Sequence, residues 1–223
     1  MYYAYGEDAI AHLKKRDRAL GKAIEQIGRI DREVEPDLFA SVVHHIVGQQ
    51  ISSAALNTVW GRMREGLVVI NADTIAAQPV ETLQQFGMTF KKAGYIKAFA
   101  QQVLDGTLDI AALPKKSDAE IITVLSSLDG IGVWTAEMIL TFCLQRPDVL
   151  SYGDLAIHRG MRMLYRRGRI DRDLFETCRK RYSPYGTVAS LYLWAISAGA
   201  IEGLYDPAPK KKPSVKPSKG SGK

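Results

Sequence analysis

The sequence predicts an all-α protein, and three observations carry that expectation. Apolar residues recur at i, i+3, i+4, i+7 along most of the chain, the period of a helix with one buried face. β-Branched alternation never persists over five positions, so no strand is expected. Pro, Gly and short polar residues cut the apolar runs where helices start and stop.

Residues 7–30 supply the first two helices. Ile10, Leu13, Leu20, Ile24 and Ile27 recur at helical spacing, and Lys14-Lys-Arg-Asp17 breaks the run. Pro36-Asp37 opens a third helix, with Leu38, Val42, Val43, Ile46 and Val47 as its apolar stripe. Gly48-Gln49-Gln50-Ile51-Ser52 interrupts it with a polar corner, and helix resumes from Ala54 to Trp60. Short helices continue over 71–113: Asn71 and Thr74 suit a helix start, Pro79 a turn, and Lys91 to Leu104 a longer helix. After the break at Pro114, Ser117-Asp-Ala-Glu120 has the spacing of a capping box just ahead of Ile121.

That helix runs into Leu128-Asp-Gly-Ile-Gly132. Gly tolerates φ > 0, so two glycines one residue apart permit a tight turn between two apolar helical runs. The runs are Ile121, Ile122, Leu125 and Leu128 before it, and Ala136, Ile139, Leu140 and Cys143 after it. The amides of Gly130, Gly132 and the next residues are unpaired donors at a helix N-terminus, where the dipole also favours a phosphate. Two readings fit: an ordinary helix-helix turn, or a helix-hairpin-helix clamp on a DNA backbone. A dinucleotide fingerprint is excluded, because no strand precedes the turn and no third glycine stands in place. A helix of about 14 residues is expected after Gly132, with a break at Pro147. Asp154 then heads the run Leu155, Ile157, Met161, Leu164 and Tyr165. An Asp there is a favoured N-cap worth about 1 kcal/mol, and equally a carboxylate available for chemistry. Arg159, Arg162, Arg166, Arg167 and Arg169 form a cationic stripe, and Val188 to Ile201 a last apolar helix holding Trp194.

The hairpin Leu128-Asp-Gly-Ile-Gly-Val-Trp-Thr-Ala136, with an Asp 22 residues beyond Gly132, resembles the helix-hairpin-helix/Gly-Pro/Asp DNA glycosylase superfamily. The Trp-bearing hairpin and the Gly153-Asp154-Leu155 turn are most similar to the 3-methyladenine DNA glycosylase II type. The resemblance spans roughly residues 8 to 205. It implies two helical lobes with a cleft between them: lobe 1 about 1–35 plus 150–206, lobe 2 about 36–149, together one glycosylase unit over 1–206. It implies hydrolysis of the N-glycosidic bond of an alkylated purine (the 3-methyladenine and 7-methylguanine class) in duplex DNA, after base flipping.

In that resemblance Asp154 matches the catalytic carboxylate, and Trp134 and Trp194 match the walls of a base pocket. Met138 stands where the relative has an aromatic. The amides near Gly130 and Gly132 and the Thr135 hydroxyl would meet phosphate. The Gln49–Gln50 corner, with Gln50 the better match, would fill the gap left by the flipped base, where that branch uses an apolar wedge. The carbonyls of Ser126, Leu128 and Ile131 would hold a monovalent cation. Bifunctional members place a Schiff-base Lys in this hairpin, where Trp134 stands, so an enzyme without lyase activity is implied. The family branch has a further N-terminal mixed domain, and this chain is expected to begin after it. From the residues alone, Trp134 and Trp194 also suit a core, Gln49 and Gln50 a plain polar corner, and Lys91-Lys92 either phosphate contact or solvated surface.

Composition narrows the class further. The chain has 223 residues and a net charge of +6, and the six Lys of 207–223, a stretch without acids, account for all of it. Residues 1–206 balance 24 basic against 24 acidic side chains, so nucleic-acid affinity must come from a local patch, helix N-termini and the tail. The tail is Pro- and Lys-rich and expected to be disordered. With two Cys, Cys143 and Cys178, the chain cannot build an iron–sulfur cluster, which needs four. His44 and His45 are adjacent, and the four His lack metal-ligand spacing, so no transition metal is expected. No apolar run spans a membrane and no signal peptide stands at the start, which points to the cytoplasm or nucleoid, or the nucleus in a eukaryote. A monomer acting on double-stranded DNA with a damaged base is the expectation. Two alternatives stay open: a glycosylase for an oxidised, deaminated or mismatched base, and a non-catalytic helix-hairpin-helix DNA-binding protein.

Overall fold

The structure is a computed structural model that describes residues 1–208, so all but the first residues of the Lys/Pro-rich tail lie outside the described residues. The chain folds as α1 (Glu7–Arg16), α2 (Arg18–Ile27), α3 (Leu38–Gly48), α4 (Ser53–Leu67), α5 (Ala72–Ala77) and α6 (Val80–Gln85). It continues as α7 (Phe90–Leu104), α8 (Asp118–Ser126), α9 (Val133–Phe142), α10 (Leu155–Tyr165), α11 (Arg172–Tyr182) and α12 (Gly186–Ser197). Among the described residues there is no strand, only an isolated antiparallel bridge between Tyr2 and Glu33. Among the described residues no helix is long and apolar enough to cross a membrane.

The helix starts follow capping chemistry. Side-chain oxygens of Asp17, Asp37, Ser52, Thr89 and Asp171 accept amides of α2, α3, α4, α7 and α11. Asn71 and Ser117 do so within full capping boxes at α5 and α8. Each cap satisfies a donor that the helix itself leaves unpaired. α9 is shorter than the sequence suggests: it closes at Phe142, and residues 143–146 turn back on themselves. There Cys143 and Leu144 amides both reach the Ile139 carbonyl, and the Arg146 amide reaches Leu140.

Burial separates into two clusters. One gathers apolar side chains from Phe39 to Val149 and includes the stacked pair Phe39 and Phe99, with centroids 4.8 Å apart. The other joins Tyr3 to Val34 with Leu150 to Ile196, so the two ends of the chain share a core. Around the crossing, Asp148 accepts the Gly186 amide at 3.0 Å and the Ser183 hydroxyl at 2.6 Å, while the Val149 amide donates to Thr187 Oγ1 at 3.0 Å. α10 lies directly on α12, where a Cβ on Gly160 would come 2.2 Å from the Leu193 carbonyl oxygen. Only glycine allows that approach. It sets the helix headed by Asp154 against the helix carrying Trp194.

The cationic stripe is partly neutralised. Arg162 makes a two-pronged pair with Asp206, at 2.8 and 2.6 Å, which brings the chain after α12 back onto α10. Such forked guanidinium–carboxylate pairs fix geometry as well as charge. Arg162 is therefore not free to meet a phosphate.

Candidate active site and hairpin

The hairpin turn is built around Gly130. Its φ is +84°, in the region that favours glycine, and a Cβ there would lie 2.6 Å from the Tyr95 ring. Gly132 differs from the sequence expectation: its backbone is extended, with φ −94° and ψ 171°, and it stands as the N-cap of α9. No side chain caps α9. The amides of Val133, Trp134 and Thr135 are thus open donors at a positive dipole end, as an anion site requires. Val133 and Trp134 are exposed beside them, 55% and 46%. Thr135 is 6% exposed and lines the cleft.

Asp154 caps α10 and faces the cleft with one carboxylate. Its Oδ1 accepts the amides of Ala156 at 2.8 Å and Ile157 at 2.9 Å. Its Oδ2 accepts the Trp134 indole N–H at 2.9 Å, and the residue is only 6% exposed. The cap reading and a carboxylate presented to a cavity therefore hold together, one oxygen for each. Behind it, Glu137 accepts the Ser151 hydroxyl. Burial pushes the Glu137 carboxyl up, the Ser151 hydroxyl opposes this, and the nearby Asp154 charge adds to the rise.

A cleft of about 720 Å³ opens in front of Asp154. Trp134, Thr135, Met138 and Phe142 form one side from α9, and Leu191 and Trp194 from α12 another, with Ala198 just after it. The Gly48–Gln50 turn and Ser53 form the rim from α3 and α4. Trp134, Met138, Trp194, Gln49 and Gln50 all line this one space with Asp154. Trp194 packs on Phe142 with centroids 5.4 Å apart, and the Arg32 guanidinium lies 4.6 Å above the Phe142 ring.

Among the lining residues that the sequence does not single out are Arg32, His44 and His45. The sequence presents the histidines only as potential metal ligands. Burial lowers the pKa of both, foremost for each, while the Ser41 bond opposes it at His45 and the neighbouring His44 adds to it. His45 Nδ1 donates to the Ser41 carbonyl at 2.8 Å, which leaves Nε2 of the neutral ring as an acceptor. His44 packs edge-on against Trp60, with centroids 4.8 Å apart. For the histidines, the available signal is their place about one turn before the polar corner that begins at Gly48.

At the hairpin, the Leu128 carbonyl already accepts the Ile131 amide at 3.0 Å, and each carbonyl has a second lone pair. Ser126, Leu128 and Ile131 supply neutral oxygens, a donor type that suits a hard monovalent cation. Among the described residues no cluster of His, Cys, Asp and Glu could hold a metal ion.

The chain has counterparts among known proteins. Residues 43–184 match the family described as HhH-GPD superfamily base excision DNA repair protein. The chain is 28% identical over 200 residues to DNA-3-methyladenine glycosylase 1 of Schizosaccharomyces pombe, covering 83% of this chain and 85% of that one. Among solved structures, DNA-3-methyladenine glycosidase from Bacillus halodurans superposes with a TM-score of 0.79 at 33% identity, over 89% of this chain and 93% of that one. The 3-methyladenine DNA glycosylase of S. pombe in complex with abasic DNA superposes with a TM-score of 0.74 at 26% identity, over 87% and 98%. With the family match spanning more than half of its length, this chain belongs to the HhH-GPD superfamily of base excision DNA repair proteins.

Proposed function

We propose that the protein is a DNA glycosylase that hydrolyses the N-glycosidic bond of alkylated purines, of the 3-methyladenine and 7-methylguanine class, in duplex DNA. The observation that carries this reading is the Asp154 carboxylate, half used as a cap and half aimed at a cleft walled by Trp134 and Trp194. A base inside a duplex is out of reach, so it must be flipped into such a cleft, at a cost of a few kcal/mol. An alkylated purine carries positive charge and a weakened glycosidic bond, which makes it a good leaving group. The protein then has to hold the cationic base, stabilise the positive sugar and position water. An indole face near a cation contributes about 0.5–2 kcal/mol. The Asp154 carboxylate offsets the developing charge on the sugar and can take a proton from water.

The open amides of Val133 to Thr135 would hold the DNA backbone, with Gly130 and Gly132 shaping the turn, and the Gln49–Gln50 corner would enter the space left by the flipped nucleotide. A monovalent cation at the hairpin carbonyls would add charge beside the phosphate. Incubation with duplexes carrying methylated, oxidised, deaminated or mismatched bases tests the substrate class. Release of methylated purines above the others is expected. Preferential release of an oxidised or mismatched base overturns the class, and release of none overturns the enzyme.

The enzyme should leave an abasic product without nicking the strand. Strand cleavage through a Schiff base needs an amine near C1′. Among the described residues no lysine lines the cleft, and an indole sits at the head of α9. Borohydride should therefore trap no covalent protein–DNA adduct, and a trapped adduct would refute this reading. The tail should add affinity without lesion preference. Its six Lys can each contribute about −0.9 to the log–log salt dependence of binding. Deleting residues 207–223 should flatten that slope and weaken damaged and undamaged duplex alike. An unchanged slope would remove the tail from the binding surface.

A further inference from the structure

Lys92, a candidate phosphate contact from sequence, is turned inward. Its Nζ donates to the Val47 carbonyl at 2.8 Å and to the Gln49 carbonyl. These lie at the C-terminal end of α3, where carbonyls have no helical partner and a cation is favoured by the dipole. Burial lowers the Lys92 pKa, and the two carbonyls are what the ammonium gains in place of water. One turn further along α7, the Tyr95 ring lies against Gly130 so closely that no Cβ fits between them. Lys91, by contrast, stays outside, 5.7 Å from the Tyr95 centroid.

Gln49 closes the circuit, since its side-chain amide donates to the Gly130 carbonyl. The polar corner is thus bonded at its backbone by α7 and at its side chain by the hairpin. Gln50 follows with φ +57°, a conformation disfavoured for a residue with a Cβ. Such a conformation persists only where its surroundings impose it. The Lys92 bonds end one residue before it.

We infer that Lys92 is a positioning residue for base extrusion. It holds the Gln49–Gln50 turn in register with the hairpin, so that phosphate grip and gap filling are set by one brace, α7. The inference rests on the reading of Gln50 as the gap-filling side chain. Lys92→Met keeps the stem and removes the donors. Single-turnover excision of 7-methylguanine is compared in two duplexes, one with cytosine opposite the lesion and one with an abasic-site analogue opposite it. In the second the base is already unpaired, so extrusion costs less.

A misplaced turn should slow excision of the paired lesion by roughly 10- to 100-fold and the unpaired one far less. Lys92→Arg, which keeps a cation and more than one donor, should restore most of the loss. The paired-to-unpaired ratio is taken on one preparation, so it is independent of how much of the variant is folded. Equal slowing on both duplexes, or none, overturns the inference. Gln50→Ala is measured alongside. A ratio unchanged in Gln50→Ala sinks the gap-filling reading itself. A ratio shifted in Gln50→Ala but not in Lys92→Met overturns the role of Lys92 alone.

Discussion

Asp154→Asn should lower single-turnover excision by roughly 10²-fold or more while the fold survives. The substitution separates the two oxygens of this side chain. Asn is as good an N-cap as Asp, so the Asn Oδ1 can keep the amides of Ala156 and Ile157 that Asp154 Oδ1 now accepts. The other position becomes an NH₂ group facing the Trp134 indole N–H, two donors without an acceptor. Losing that bond costs about 1 kcal/mol, or about 2–4 °C in melting temperature for a chain of this size. The charge opposite the developing oxocarbenium ion is lost altogether, as is any general base. For 7-methylguanine, whose bond is already labile, the loss should be smaller than for a neutral base. Binding to an abasic-site duplex should persist, because the open amides of α9 do not depend on this charge. Near-wild-type excision would show that Asp154 only caps α10.

What the sequence reveals about this molecule is what depends on near neighbours. The capping box at Ser117, the break at Asp17, the glycine turn at Gly130 and the cap at Asp154 all lie within a few residues of what they act on. Apolar periodicity identifies the helices for the same reason. The end of α9 is less legible, since the turn over 143–146 uses backbone bonds that no residue type announces. Features set by distant partners are invisible to such a reading. Lys92 reads as a surface lysine until α3, some 45 residues earlier, delivers two carbonyls to it. Arg162 reads as part of a cationic stripe until Asp206 returns to it. The cleft lining itself joins residues 30 to 198, and only the resemblance to a known family brought Trp194 beside Trp134 in advance.

The largest stability effect is expected far from the cleft, at Asp17. Its Oδ1 caps α2 through the amides of Ala19 and Leu20, both at 3.0 Å. Its Oδ2 accepts the Tyr165 hydroxyl and Arg181 Nη1, both at 2.6 Å, tying α2 to α10 and α11. Burial by itself would raise this carboxyl. The bonds from Leu20, Tyr165 and Arg181 outweigh it, and the pKa lies below the usual value. Asp17→Asn keeps the cap but leaves a guanidinium facing a neutral amide. Breaking a buried pair costs about 3–5 kcal/mol. Because the Arg181 side chain is 36% exposed and can rehydrate, the lower end applies, about 3 kcal/mol. That corresponds to a fall of roughly 6–12 °C. The pH dependence has a definite sign. The unfolded chain holds its proton to a higher pH than the folded one, so the ionised carboxylate contributes fully above the unfolded value of about 4 and less as pH falls through the lower folded value. The melting curves of wild type and Asp17→Asn should therefore differ most at neutral pH and converge below about pH 4. A gap that stayed constant from pH 7 down to pH 3 would show that the carboxylate charge plays no part in holding these three helices together.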